Sequence, residues 1–279
     1  MDKPRVYCLE GYTIVTASET LPEFEAEYEI LEKTNIFTSM GCIYIVKIIK
    51  SGNALIAGPS RILDMEKVVK KLDDYDLKNI FIDGAFFRHS SAKVAEATIF
   101  VIGANLSHDI DKVVKDAVAS VGKFTLEKPK KWLDFLKNEE NVCLVNERNN
   151  FKRLDIKSVI GNSAKIFNEN NKNYRFLFLP LSLTNDFVER LVEERRGFKW
   201  DILINSPVCI QLNIGNLENL FKLSNKVMVF NPIKLKAVCY NPMSPRGYEF
   251  NDFQFRQILV ERIGINVFNV KGGVVEWVS

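Results

Sequence analysis

Short apolar runs rich in β-branched residues alternate with amphipathic segments along most of the chain. In the first sixty residues, the runs over 5–9, 13–16 and 42–49 predict strands, which Gly11, Gly41 and Ser51-Gly52-Asn53 separate. Residues 65–72 then carry apolar side chains at helical spacing with Lys and Asp between them, which predicts an amphipathic helix. The chain is therefore expected to begin with a β-rich section.

Strand-sized apolar runs that end in small residues dominate the rest of the chain. Residues 80–82 predict a buried strand ending at Asp83-Gly84-Ala85, and residues 98–102 predict one ending at Gly103-Ala104-Asn105. Helical spacing appears at 110–118, 187–194, 217–223 and 253–262, and further strands are predicted at 175–179, 201–204, 226–230, 235–240 and 266–270. This alternation is typical of an α/β protein, so we predict a mostly parallel sheet with helices on both faces.

The polar stretch over residues 127–173 marks a candidate boundary. We predict a β-rich start and first α/β half over residues 1–125 and a second α/β half over residues 126–279, or one continuous domain. Fixed-period repeats are not expected. The acidic segment 23–32 and the basic cluster 128–131 are interpreted as a solvated face and a solvated turn.

Composition narrows the function classes. The 279 residues carry a net charge of only +3, too nearly balanced to indicate nucleic acid or a membrane surface as a partner. The longest apolar runs are strand-sized against the ~20 residues that a membrane span needs, and no signal peptide is evident, so a cytoplasmic location is expected. Five scattered cysteines predict reduced core thiols, and two distant histidines disfavour a zinc site or a histidine-based triad.

Candidate chemistry lies in the loops that come after the predicted strands, because ligands of open α/β sheets bind at the carboxyl ends of the strands. The candidate ligand-binding residues are Ser60, Asp83, Arg88, Asn105, Asn241, Ser244 and Arg246. Small residues at these positions are also what tight turns require, so a purely structural role remains open for each loop. If the loops share one edge, then Ser60, Asp83, Gly103 and Asn241 should cluster in one crevice.

Asp83 is the sharpest single candidate. A carboxylate directly after a buried strand could hold Mg²⁺ through water, whereas the alternative is an Asx-turn or a helix cap. Arg88 could pair with Asp83, bind an anionic ligand or be a simple surface residue. Motifs that would complete an enzyme are missing: the sequence contains no G-x-x-x-x-G-K-[ST], no G-x-G-x-x-G and no G-x-S-x-G. Whether this chain is an enzyme therefore stays open.

Several segments together resemble one protein family. They are Pro4-Arg5-Val6-Tyr7, Glu10-Gly11, Ala57-Gly58-Pro59-Ser60, Ile82-Asp83-Gly84-Ala85 with Arg88, Ser90 and Ala92, Ala97-Thr98, Gly103-Ala104-Asn105-Leu106-Ser107 and residues 238–247. The set is similar to the smaller subunit of the D-lysine aminomutase reactivase of lysine-fermenting anaerobes. It extends from Pro4 to about Val270.

The resemblance implies a chaperone-like subunit that acts with a MutS-like ATPase subunit to release damaged cobalamin from lysine aminomutase, an adenosylcobalamin enzyme. Relatives carry a glycine-rich nucleotide loop ahead of the equivalent of Pro4, and this sequence lacks that segment. The implied fold is then a degenerate P-loop or Rossmann-like one. No cofactor is expected in this chain, and ATP with Mg²⁺ is expected only with the missing N-terminal segment or the partner.

Two rival interpretations remain. The first is a nucleotide-dependent small-molecule ligase or transferase that uses Asp83, Arg88 and the loop over residues 241–247. The second is a ligand-free protein interaction module. Cobalamin ligation through histidine is not expected, because neither His89 nor His108 lies in a D-x-H-x-x-G motif.

Overall fold

The computed structural model describes residues 5–59, 61–84, 94–148, 150–194 and 198–271. It shows a mixed α/β protein whose chain divides into two compact units, Met1–Phe86 and Phe87–Ser279. The division lies between Phe86 and Phe87, whereas the sequence pattern predicted a boundary at residues 125/126. Within the described ranges, no helix is both long and apolar enough to cross a membrane.

The first unit is built on an antiparallel sheet. Its elements are β1 (Val6–Cys8), β2 (Thr13–Ala17), β3 (Glu27–Thr38), β4 (Gly41–Lys50), β5 (Gly52–Ala54) and α1 (Ile62–Leu72). Strand β4 lies between β2 and β3, while β1 pairs with β5. Helix α1 buries Val68 and Leu72 in a cluster with Ile43 and Ile45, because these β4 residues face the same side at period two.

One sequence-based expectation for this unit is wrong, and another gains structural detail. The predicted buried strand at residues 80–82 is wrong: these residues form no strand, and Phe81 is 94% exposed. The acidic segment does present exposed carboxylates at Glu27 and Glu29, but it does so as part of β3, the longest strand of the unit. Charged residues are therefore tolerated here because most of β3 faces solvent.

The second unit holds two larger sheets. Its elements are β6 (Thr98–Gly103), α2 (Ile110–Phe124), β7 (Cys143–Val145), β8 (Phe151–Arg153), α3 (Ser163–Ile166), β9 (Phe176–Leu179), β10 (Leu183–Thr184), α4 (Asn185–Glu193), β11 (Asp201–Ile204), β12 (Ile210–Gln211), α5 (Ile214–Leu223), β13 (Lys226–Val229), β14 (Leu235–Asn241), α6 (Asp252–Ile263) and β15 (Val267–Asn269). Strands β15, β14 and β6 form a parallel sheet in that order. Helices α2 and α6 cover one of its faces through Val113, Val114, Phe255 and Leu259.

The other sheet has five strands in the order β13, β11, β9, β7, β8. The first three are parallel, whereas β7 and β8 run antiparallel to their neighbours. Helices α4 and α5 pack on one face, where Phe187 and Leu220 meet Leu177 and Ile202. A 3-10 helix over Lys131–Asn138 covers the other face and buries Leu133 and Leu136. This sheet therefore has helices on both faces.

Three parallel strands of this sheet recur at a fixed spacing, which corrects the expectation that the chain has no fixed-period repeat. Phe176, Asp201 and Lys226 begin β9, β11 and β13 and are in register. Each of the first two strands is followed by a turn containing proline and by a helix, and the carbonyl of Pro180 accepts a bond from Asn205, 25 residues later. Short strands β10 and β12 pair in parallel at equivalent places in the two repeats.

The sheets as a whole are mixed, so the expected mostly parallel sheet holds only in part. Among the described residues, parallel pairing is confined to the second unit, and every pairing in the first unit is antiparallel. The polar stretch 127–173 is not a mere connection, because it supplies β7 and β8.

Candidate functional site

The loops after β6 and β14 meet at the carboxyl edge of the three-stranded sheet. The amide of Ala104 donates to the carbonyl of Asn241 at 2.9 Å. A Cβ atom on Gly103 would lie 3.0 Å from that carbonyl oxygen and 3.3 Å from Oδ1 of Asn105. Glycine is therefore favoured here by the close approach of two chain segments, and the structure brings Gly103, Asn105 and Asn241 together as expected for neighbouring parallel strands.

A short hairpin over residues 242–250 closes this edge. Met243 and Glu249 form an isolated antiparallel bridge, and the turn between them contains Gly247 with a φ of +85°. The hydroxyl of Tyr248 donates to the carbonyl of Ala104, and its ring stacks on His108 with centroids 3.7 Å apart. Tyr248 thereby fixes the hairpin onto the loop that leads into α2.

The side chains of Asn241 and Ser244 serve the backbone of this hairpin. Oδ1 of Asn241 accepts the amide of Met243 at 3.0 Å, and Oγ of Ser244 accepts the amide of Arg246 at 3.2 Å. Both are local turns of the kind these residue types favour. Arg246 and Asn105 are exposed, so these two predicted residues present their side chains to solvent at this edge.

Tyr240, Asp252 and Asn269 form a hydrogen-bonded polar cluster next to this edge. The hydroxyl of Tyr240 donates to Oδ1 of Asp252 at 2.9 Å, and Asn269 donates to the same oxygen at 2.6 Å. Burial, followed by the bond to Asp252, raises the pKa of Tyr240 above its usual range, so the phenol stays neutral. Asp252 begins α6, so this contact joins β14 and β15 to the start of that helix.

Three predicted residues, Ser60, Asp83 and Arg88, are not among the described residues of this sheet edge. Ser60 and Arg88 lie outside the described residues. Asp83 belongs to the first unit, where it is exposed and lies outside any strand. No group of three or more His, Cys, Asp or Glu residues that could hold a metal occurs within the described part of the chain. The proposed Mg²⁺ contact of Asp83 stays a prediction.

A cleft in the first unit was not anticipated from the sequence. It has a volume of about 460 Å³ and is lined by Asn35, Ile36, Lys67, Lys70, Lys71 and Asp74. The register of β3 against β4 shifts between Lys33 and Phe37, and this bulge leaves Asn35 exposed at the cleft. Lys71 donates to Glu32, a bond that lowers the pKa of this carboxyl. The sequence signal was the lysine spacing along α1.

A second cleft lies at the amino ends of β9, β11 and β13. Its volume is about 490 Å³, and it is lined by Asn146, Glu147, Arg148, Asn150, Asn173, Tyr174, Arg175, Lys199 and Asn225. The Nε atom of Arg175 donates to Oδ2 of Asp201 at 3.1 Å, and its Nη1 atom donates to Glu147. Both bonds raise the pKa of Arg175, which stays charged. Most of the residues that line this cleft belong to the polar stretch 127–173, in which the sequence pattern indicated only a candidate domain boundary.

All five cysteines are free thiols, and the predicted core position holds for three of them, while Cys209 and Cys239 are half-buried. Cys8, Cys42 and Cys143 are buried. Burial is the main cause that raises the pKa of Cys143 to about 12, so its thiolate is scarce at neutral pH. None of these features identifies a nucleophile.

No protein-family model, no curated protein and no solved structure matches the chain.

Proposed function

We propose that the chain is a chaperone-like subunit of an aminomutase reactivation complex, which acts with a MutS-like ATPase partner on lysine aminomutase. The observation that carries this proposal is an apolar surface on the three-stranded parallel sheet. Ile99 and Val101 of β6 are 60% and 53% exposed, although their neighbours Phe100 and Ile102 pack against the helices on the opposite face.

Exposed apolar residues on such a face are unusual, because parallel sheets are generally covered by helices on both sides. Ile99 and Val101 lie two residues apart and therefore on the same face of the edge strand β6, whereas Ala237 of β14, which is paired with Ile99, is only 9% exposed. An exposed apolar surface supports binding of a protein partner, because the apolar residues that a partner covers contribute most of the binding energy. A subunit that works on other proteins needs a docking surface of this type.

We assign the second unit to a degenerate P-loop or Rossmann-like fold, supported by strands β6, β14 and β15, which are parallel and neighbour helices α2 and α6. The loop after β6, Gly103-Ala104-Asn105, occupies the edge where such folds bind ligands. In this proposal the MutS-like partner binds and hydrolyses ATP, and this chain contributes contacts to the other proteins of the complex.

Partner binding tests the proposal directly. The double variant Ile99→Lys, Val101→Lys changes only exposed positions, so it should fold while losing affinity for the MutS-like ATPase by tenfold or more, on the order of the 1–3 kcal/mol that central interface residues contribute. Phe253→Lys is the matched control, because Phe253 is 76% exposed on α6 of the same unit. ATP-dependent recovery of inactivated lysine aminomutase should fall with the double variant alone.

Equal binding by wild type and double variant would remove the sheet face from the proposal. If the purified chain failed to restore activity to lysine aminomutase in the presence of the ATPase, the reactivation role itself would be wrong.

A further inference from the structure

The 3-10 helix Lys131–Asn138 exposes aromatic rings on the surface of the five-stranded sheet. Trp132 lies edge-on against Phe176 with centroids 5.4 Å apart, and Phe135 lies edge-on against Phe151 at 5.5 Å. Phe151 and Phe176 are themselves in register on either side of Val145. The two aromatic pairs therefore lie side by side across neighbouring strands.

Three of these rings face solvent to a large extent. Trp132 is 38% exposed, Phe135 47% and Phe151 40%, and we call these three residues the aromatic ridge. Leu133 and Leu136 anchor the same helix in the core, so the ridge is held in place by buried neighbours. Single exposed apolar residues are common, but here the rings of Phe135 and Phe151 contact each other, and Trp132 lies one turn before Phe135 on the same 3-10 helix.

The second cleft adjoins the aromatic ridge at two points. The guanidinium of Arg175 lies 5.4 Å from the ring centroid of Phe176, which Trp132 also contacts. Asn150, which lines the cleft, immediately precedes Phe151.

The charges of the second cleft favour an anion. Arg148 and Lys199 add positive charge, while the cleft's carboxylate Glu147 is bonded to Arg175. The side chain of Asp201 is 4% exposed and bonded to the same guanidinium. The single charge of Arg175 balances one of these two carboxylates, so with Arg148 and Lys199 the group keeps a net charge of +1 toward a ligand.

Positive charge is concentrated around these features. Residues 127–175 contain eleven Lys and Arg against seven Asp and Glu, so this segment is more positive than the whole chain, whose net charge is +3. Lys128, Lys130 and Lys131 directly precede or begin the helix that carries the ridge, and all three are exposed. The nearly balanced total charge therefore does not describe this surface.

We propose that the aromatic ridge and the adjoining cleft form a binding surface for single-stranded nucleic acid. Bases stack on exposed aromatic rings irrespective of sequence, while Lys and Arg side chains contact the phosphates. The asparagine amides of the cleft can donate to and accept from base edges or sugar hydroxyls. A duplex would not fit this chemistry, because its bases are stacked on one another and closed to the ridge. This site is separate from the apolar face of β6 and goes beyond the proposed function.

Fluorescence anisotropy on the full chain tests the proposal with labelled dodecamers of oligouridylate and oligothymidylate. Both should bind, with an affinity that falls steeply between about 50 and 200 mM salt because phosphate contacts release counterions. Tighter binding of the uridylate would indicate RNA, and tighter binding of the thymidylate would indicate DNA. A duplex of equal length should bind at least tenfold more weakly.

Two variants separate stacking from charge. Trp132→Ala with Phe135→Ala should weaken binding by tenfold or more, because it removes two rings on which bases stack. Lys130→Gln with Lys131→Gln should reduce the salt dependence of binding. Phe253→Ala is the matched control for loss of an exposed ring and should bind as wild type does. Thermal melts of each variant establish that the fold persists.

Several results would overturn the proposal. They are an absence of saturable binding at low salt, an equal loss of affinity in Phe253→Ala, and unchanged affinity in the Trp132 and Phe135 variant. Binding to vesicles rich in phosphatidylserine without binding to either oligonucleotide would instead assign the surface to a membrane.

Discussion

Alanine at Gly52 should destabilise the first unit through a backbone collision. A Cβ atom at this position would lie 2.7 Å from the amide nitrogen of Ala26, 2.8 Å from its Cα and 2.9 Å from the carbonyl carbon of Glu25. Ordinary contact begins near 3.4 Å, so the two segments must separate by about half an ångström or more. None of the atoms that Cβ would meet belongs to a flexible side chain that could turn away.

That separation affects two hydrogen bonds. The amides of Glu25 and Ala26 both donate to the carbonyl of Asn53, at 2.8 and 3.2 Å. Weakening two such bonds costs about 0.5–1.5 kcal/mol each, and overpacking adds about 1–3 kcal/mol. Alanine regains about 0.4–1 kcal/mol by restricting the unfolded chain. The expected net loss in the free energy of unfolding is about 1–6 kcal/mol.

Hydrogen exchange followed by mass spectrometry measures this loss separately for the first unit, to which Gly52 belongs. Amides of β4 and β5 should lose protection in Gly52→Ala, whereas Trp132 and Trp200 of the second unit should keep their fluorescence emission. Gly58→Ala is the matched control, because a Cβ atom added to Gly58 would have nothing within 4 Å and the residue has no positive φ. Protection in Gly52→Ala within about 0.5 kcal/mol of that control would refute the steric reasoning.

Three further predictions rest on buried or half-buried polar groups. Iodoacetamide at pH 8 should leave Cys143 unmodified in the folded protein and modify it only after unfolding, because burial raises its pKa to about 12; rapid native labelling would contradict this. Burial raises the pKa of Asp116, so its carboxylate destabilises the fold once the pH exceeds the ordinary pKa of an aspartate. Asp116→Asn should therefore raise the free energy of unfolding at pH 7 but not at a pH below that ordinary pKa. Equal free energies for wild type and variant at pH 7, measured in urea titrations, would argue against this. Tyr240→Phe should lose about 1 kcal/mol in the same titrations by removing the bond to Asp252, and an unchanged midpoint would show that the bond contributes nothing.

Two short apolar runs had opposite outcomes, which shows where the sequence stops being informative. Residues 80–82 are three apolar residues, and residues 142–145, which contain β7, are four. Leu144 of β7 is buried because Leu177 of β9 pairs with it, whereas residues 80–82 pair with no described strand. Local hydrophobicity predicts that a segment can be a strand, but a neighbouring strand decides whether it is one. The strands β4, β9, β11 and β14 were predicted correctly, and each of them has a neighbouring strand on both sides.

The candidate site was predictable only where topology constrains it. Gly103 and Asn241 meet because both end parallel strands that are direct neighbours. The local bonds of Asn241 and Ser244 were foreseen only as the structural alternative, since sequence alone does not tell a turn from a ligand contact. The aromatic ridge was missed because Trp132 and Phe135 share the i, i+3 spacing of Leu133 and Leu136. Either pair could have been buried.

The two sheets of the second unit differ in how far apart in the chain their partners lie, and this sets an order of assembly. The strands that begin at Phe176, Asp201 and Lys226 find one another across 25-residue intervals. The bond from Tyr248 to Ala104 instead closes a loop of 144 residues. Because long loops are slower to close, the five-stranded sheet should form first during refolding, with the edge around Gly103 and the hairpin completed afterwards. A chain emerging from the ribosome would leave β6 unpaired until β14 had been synthesised, so the side chain of Ile102, which folding buries against α6, would stay open to other proteins during that interval.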